Sequence, residues 1–305
     1  MNRRVMLKKG VGAIVGIGGG LVLTDRGTLM AQGVSASLPD LVAVQNGEPD
    51  VMFDKAIEAI GGMSSVVKKD QVVVVKPNIA WDKPPETGAN TNPVLVKRIV
   101  EHCFKAGARK VYVLDHTCHD CRKTYESSGI MAAAQAAQAT VVFANGEEDY
   151  VPVTIPKAAV LKTTKVHKLI AECDVLIDVP VLKNHGGAGV TVAMKNLMGV
   201  VWDREYYHKA GLHECIADFC HYRRPDLNVV DAYRIMLRNG PYQGQPADIA
   251  VRKSLLLSRD IVAADAAGAK LFGSDPAQTR HIQLANDSGI GTMNLEKLNI
   301  KKITI

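Results

Sequence analysis

From residue 37 onward, apolar runs of strand length alternate with segments of helical period. That alternation predicts an α/β fold with a mainly parallel sheet flanked by helices. Val72–Val75, four valines in succession, reads as the first clear buried strand. Lys110–Leu114, Thr140–Ala144, Val175–Leu182 and Leu227–Val230 read as the second to fifth, and Ile300–Ile305 as a closing strand. Asn92-Pro93 predicts a helix start, since Asn accepts an orphan N–H of the first turn and Pro fits its first position; the helix runs to about Ala106. An Ala-rich helix precedes the third strand, and Leu255–Ser258 leads into a helix over Asp260–Phe272. No internal repeat or low-complexity linker interrupts the pattern. Residues 37–305 therefore read as a single domain, with 150–164 and 202–222 as excursions.

Residues 1–36 read differently. Arg3-Arg4 and Lys8-Lys9 precede an apolar stretch from Val11 to Leu23, and small residues follow at Val34-Ser35-Ala36. These are the three parts of an export signal, and the stretch is short for a spanning helix, with five glycines in it. The adjacent arginines resemble a twin-arginine signal peptide, with an ordinary secretory leader or a retained anchor as alternatives. That resemblance implies passage through the twin-arginine translocon into the periplasm, a route associated with proteins folded before export around a cofactor. Gly10-Val11-Gly12 and Gly16-Ile17-Gly18 do not form a dinucleotide loop, because no strand precedes them.

Composition adds little beyond exclusions. The 305 residues are 47% hydrophobic and 22% charged, which rules out disorder and coiled coil. The net charge of +6 is mostly local, since residues 1–36 hold five basic side chains against Asp25. The remainder is nearly balanced, so no nucleic-acid partner is expected.

Chemistry gathers where strands end. Ligands of open α/β sheets sit beyond the carboxyl ends of the strands. Here the predicted strands run into Lys76-Pro77-Asn78, into Asp115-His116-Thr117, into Lys183-Asn184-His185-Gly186-Gly187, and into Asp231. A lysine beside a buried strand must find a carboxylate, a carbonyl or an anionic ligand. Lys195-Asn196 repeats the pattern within the apolar stretch Val190–Val201. Together Lys76, Asn78, Lys183, Lys195 and Asn196 predict a pocket for a small anion such as a carboxylate or phosphate. Asp115, Asp231, His116 and His185 are the candidate catalytic groups, the histidines because imidazole titrates near neutrality.

Six cysteines follow residue 36. Cys103 and Cys173 read as small buried hydrophobes. Cys118-His119-Asp120-Cys121 and the stretch containing His213, Cys215, Cys220 and His221 form two pairs flanked by histidine. Four thiolates suit zinc or an iron–sulfur cluster. In one continuous helix, however, Cys215 and Cys220 lie about 140° apart around the axis, whereas His213 and Cys220 share a face. His213 is therefore an alternative ligand. Disulfides, or unpaired thiols, are the competing readings.

Taken together these stretches resemble the domain of unknown function 362 family. The resemblance rests on Lys76-Pro77-Asn78, Asn90-Thr91-Asn92-Pro93, Gly107-Ala108, Pro180-Val181-Leu182-Lys183, His185, Met194-Lys195-Asn196-Leu197-Met198-Gly199, Asp231-Ala232 and Gly240-Pro241, over roughly residues 70–275. It implies association with iron–sulfur ferredoxin modules and, in some bacteria, twin-arginine leaders. A fainter similarity is to the amino-terminal half of nickel-dependent lactate racemases, from which no residue role is carried over. The expected function is an exported protein built around an iron–sulfur cluster or a single zinc or iron ion, working with a redox partner protein in periplasmic redox chemistry. The alternatives are a metal-free isomerase or lyase acting on a small carboxylate, and a periplasmic anion-binding protein with structural disulfides.

Overall fold

The computed structural model describes residues 37–305 and the backbone of two short antiparallel strands, Leu21–Leu23 and Leu29–Ala31. The leader expected over residues 1–36 otherwise lies outside the described residues. Among those described, no helix is long and apolar enough to cross a membrane.

The sheet is organised by β2 (Val72–Pro77), whose valines alternate between its faces: Val74 packs into one core, and Val73 and Val75 into the other. A strand buried on both sides needs a helical layer over each. One layer is α1 (Pro49–Ala59), α2 (Pro93–Lys105) and α4 (Ile130–Ala136), which bury Phe53, Leu95 and Ile130. The opposite face is covered by α5 (Lys168–Glu172), α6 (Ala193–Asn196), α7 (Arg204–Ala210), α8 (Leu212–Phe219) and α9 (Ile261–Phe272). Asn92 caps α2 through its side chain, as expected from the sequence, and Asp260 caps α9.

Eight strands lie in the order β12-β1-β11-β10-β7-β2-β3-β4. These are β1 (Leu41–Gln45), β3 (Lys110–Asp115), β4 (Thr140–Phe143), β7 (Val175–Val179), β10 (Leu227–Met236), β11 (Ile249–Ser258) and β12 (Ile300–Thr304), together with β2. Along this order only β11 runs antiparallel to its neighbours. β2, β3 and β7 are in register, with Val75 opposite Val113 and Lys76 opposite Asp178, so their carboxyl ends emerge side by side.

Two strand boundaries differ from the sequence reading. Val175–Leu182 is interrupted at Pro180, which supplies no ladder N–H. The chain shifts there from β7 into a separate strand, β8 (Val181–His185), which pairs with the upper half of β10 and with β9 (Gly189–Thr191). Lys183 therefore sits within a strand rather than after one. The Leu227 strand does not stop at Val230 either; it runs to Met236, leaving Asp231 in its middle, opposite Leu255 and with its N–H on the Pro180 carbonyl at 2.8 Å.

The first excursion is a hairpin, β5 (Tyr150–Thr154) and β6 (Thr163–His167). Its connecting loop is fastened from below by the buried Asp218 on α8, whose carboxylate accepts N–H bonds from Ala159, Val160 and Leu161 at 2.7–2.9 Å. Charge-assisted bonds of this kind contribute about 1.5–3 kcal/mol each. Asp218→Asn puts a donor where an acceptor is needed and should lower the unfolding free energy by about 2–3 kcal/mol in urea denaturation. An unchanged midpoint would mean that the loop is held by other contacts.

Candidate functional site

The side-by-side ends of β2 and β3 bring a lysine and an aspartate together in the interior. Lys76 Nζ lies 3.0 Å from Asp115 Oδ1, and the side chains are only 1% and 2% exposed. A buried ion pair persists only if its remaining hydrogen-bonding capacity is met. Asn196, from α6, meets it: its Oδ1 accepts from Lys76 Nζ and from Asn78 Nδ2, both at 2.9 Å. Its Nδ2 donates to Asp178 Oδ1 at 2.8 Å and to the Lys76 carbonyl at 3.3 Å. Asp115 Oδ2 takes the Ile79 N–H at 2.6 Å, and the Tyr125 hydroxyl meets the Asp115 backbone. Burial pushes the Asp178 carboxyl, beneath the network, well above the usual carboxylate range. Gly199 packs against the pair so closely that a Cβ would collide with Asp115 Oδ1 and Lys76 Nζ. The rigid placement of α6 follows from Asp265, which accepts the Ala193 and Met194 N–H bonds at 2.7 and 3.2 Å.

Above this network opens a cavity of about 500 Å³ lined by Lys76, Asn78, Asp115, His116, Cys118, Lys183, His185, Lys195, Asn196 and Arg204. Nine of the fourteen residues predicted as site residues thus share one wall system. Lys183, 1% exposed, donates to the Ala89 carbonyl and to Asn78 Oδ1. Burial without a counter-ion pushes it down to about 7. Lys195 has no hydrogen bond or ion pair among the described residues, and burial pushes it down to about 8. Arg204 is spent on backbone carbonyls, donating to His116 and Thr117 at 2.8 and 2.7 Å, so its charge stays uncompensated. Two carboxylates lie on the wall, and both are engaged: Asp115 by Lys76, Glu205 by Lys209 at 2.8 Å.

The two histidines are fixed in opposite tautomers. His116 Nδ1 lies 3.1 Å from the Val201 carbonyl, to which only an N–H can bond, so Nε2 keeps its lone pair. The ring stacks on Trp202, 5.1 Å between centroids, and burial with the Arg204 charge holds its pKa below the ordinary value. His185 Nδ1 accepts N–H bonds from Gly187 and Ala188, both at 3.1 Å, which places its proton on Nε2. Burial and the Lys195 and Lys183 charges push it down to about 3. Near neutral pH the cavity thus holds one imidazole proton acceptor and one imidazole donor.

The other predicted residues lie elsewhere. Asp231 is absent from this wall. Its carboxylate accepts from Asn92 N at 2.8 Å and Tyr233 N at 3.0 Å, tying the start of α2 to β10, and burial pushes it up to about 6. All six cysteines are unbonded thiols, and no group of three or more His, Cys, Asp or Glu among the described residues is placed to hold a metal ion. Cys118 is exposed at the cavity rim, with Arg204 Nη1 3.2 Å from its sulfur, and Cys121 begins α3 (Cys121–Ser127). Cys215 is buried on the core face of α8, where burial pushes it up to about 11, and Cys220 is buried just past the end of that helix. His213, expected as a substitute ligand, faces His281 instead, Nδ1 to Nδ1 at 3.0 Å. The residues of the expected four-cysteine centre do not fit one.

Sequence reasoning missed Arg204, Asp178 and the stacked pair Trp81–Tyr242 at the rim, 4.0 Å between ring centroids. Asp178, the single charge within Val175–Val179, carried a usable signal. Arg204 carried none, lying in an excursion far from any strand end.

Comparison with known proteins adds a family. Thylakoid-associated protein sll1697 of Synechocystis is 25% identical over 235 residues, covering 72% of this chain and 69% of its own length. Two solved structures are similar: the lactate racemase apoprotein of Thermoanaerobacterium thermosaccharolyticum (TM-score 0.47, 12% identity, 83% of this chain covered) and a structural-genomics protein of Thermotoga maritima (0.49, 11%, 74%). The matched parts make up 61% and 60% of those two chains. The family model described as "Domain of unknown function (DUF362)" matches residues 73–270, the span that carries every residue of the cavity wall named above, and the chain belongs to that family.

Proposed function

We propose that the cavity binds a small anion, a carboxylate in the first instance, and that the protein is an isomerase or lyase that moves a proton on it. The observation that carries this reading is the surplus of cations. Lys183, Lys195 and Arg204 line a cavity whose own carboxylates are already paired. Three cationic groups in a partly closed site repel one another until an anion arrives. The acid–base step follows from the tautomers: His116 Nε2 takes a proton from carbon next to the bound carboxylate, and His185 Nε2–H donates to the oxygen on which charge develops. Trp202 and the Val201 carbonyl hold the base in orientation. No step is routed through a metal or cluster, because no three of the described His, Cys, Asp or Glu side chains are placed to hold one ion. Export to the periplasm is part of the proposal, resting on Arg3-Arg4 and the apolar run after them.

Two outcomes test the reading. Calorimetric titration with malonate or inorganic phosphate should show one saturable site that weakens as salt rises, with malonamide inert. Arg204→Ala should weaken binding on the order of ten- to a hundredfold, the loss of a charged contact. Equal binding of malonamide would contradict an anion site.

The second outcome is isotopic. The protein should wash the α-proton of a bound small carboxylate into D2O, followed by NMR, and His116→Ala should slow this by about a hundredfold or more. Because burial holds the His116 pKa below its ordinary 6.5, its base form predominates above that pH, and with carboxylate saturating the exchange rate there should not be limited by His116 protonation. It should fall as acidification protonates Nε2. An exchange rate indifferent to His116 would remove the acid–base role.

A further inference from the structure

The three lysines of the cavity are not equivalent. Lys76 is tied to Asp115 and Asn196, and Lys183 to Ala89 and Asn78. Lys195 alone of the three has no hydrogen-bond or ion-pair partner among the described residues, yet it lies on the most firmly held element of the site. Asp265 fixes the N–H groups of the two residues before it, and the side chain of the residue after it, Asn196, is locked by four hydrogen bonds. A flexible cation meant only to attract an anion needs no such mounting, and Lys183 and Arg204 already supply charge.

We propose that Lys195 is a nucleophilic amine that forms an imine with the carbonyl carbon of a small anionic aldehyde or ketone, a 2-oxo acid being the simplest. This rests on the anion-pocket reading and narrows its substrate class. The unprotonated Nζ lone pair adds to the carbonyl carbon, and the C=O π pair moves to oxygen, which takes a proton. Nitrogen loses a proton to give the carbinolamine. The C–O bond then breaks, water leaves with the oxygen, and C=N forms. Amine plus carbonyl gives imine plus water, with no oxidant or reductant. His116 Nε2 takes each proton that nitrogen loses and, as the imidazolium, returns it to the oxygen, while His185 Nε2–H, lining the same cavity, hydrogen-bonds that oxygen. Arg204 and Lys183 receive the carboxylate. Burial and the charges of Arg204 and Lys76 keep part of the Lys195 amine unprotonated near neutral pH, since its pKa is about 8 against an ordinary 10.5. An exposed lysine has on the order of a hundredfold less free amine there.

The test uses the full-length protein with pyruvate as the probe and cyanoborohydride to reduce the imine. Intact mass should rise by one reduced pyruvate adduct per chain, and peptide mapping should place it on Lys195. Labelling there should be at least about tenfold faster than on surface lysines, as its larger free-amine fraction requires. Saturating phosphate should suppress it, and Lys195→Arg should abolish it. Mapping of the wild-type protein decides the matter even if the variant does not fold. Adduct spread over surface lysines, or none on Lys195, overturns the proposal. In that event phosphate calorimetry separates the causes: retained binding leaves the anion pocket standing with Lys195 as a charge only, and lost binding removes the pocket as well.

Discussion

The site depends on one buried ion pair. Lys76 and Asp115 come from the ends of adjacent parallel strands, and in a water-excluded position neither charge survives without the other. Removing one partner of such a pair costs about 3–5 kcal/mol, because the other is left uncompensated. The pair also decides what surrounds it. Asn196 must sit where it can bridge Lys76, Asn78 and Asp178, so α6 is brought down onto the strand ends with its first turn held by Asp265. Gly199 must be glycine for the next turn to approach. Lys195 is carried into the cavity as a consequence.

Charge balance then separates structure from chemistry. At the floor, cation and anion are matched, and burial raises the Asp178 carboxyl well above the usual carboxylate range. On the walls the cations outnumber the anions, and burial, with their mutual repulsion added, pushes the amines of Lys183 and Lys195 down to about 7 and about 8. A base whose folded pKa is depressed lends full stability above its unfolded value and loses it as pH falls toward the folded value. For Lys183 that window runs from 10.5 down to about 7, and for His185 from 6.5 down to about 3. A bound anion narrows both windows by stabilising the protonated forms.

Much of this was legible in the residues. Lys76, Asn78, Asp115, His116, Lys183, His185, Lys195 and Asn196 were singled out because a charge beside a buried strand must be answered, and the structure gathers all of them. Asp231 was misplaced because an aspartate after an apolar run usually ends a strand. Here β10 continues past it, since backbone N–H groups of Asn92 and Tyr233 satisfy its carboxylate inside the sheet. The cysteine pairs misled for a related reason. Spacing shows which residues a loop or helix can present together, but burial decides which face it presents: α8 turns Cys215 into the core, and Cys220 is buried just past its end. Arg204 was invisible because its place over the cavity is set by the carbonyls of His116 and Thr117, contacts made across 87 or more residues of chain.

If the cavity holds cations waiting for an anion, lysine side-chain NMR will reveal them. With 13C-labelled lysine Cε, the account predicts two resonances titrating near 7 and 8, apart from the exposed lysines near 10.5, and both moving upward when phosphate is added. A set of lysines all titrating near 10.5, unmoved by phosphate, would contradict it.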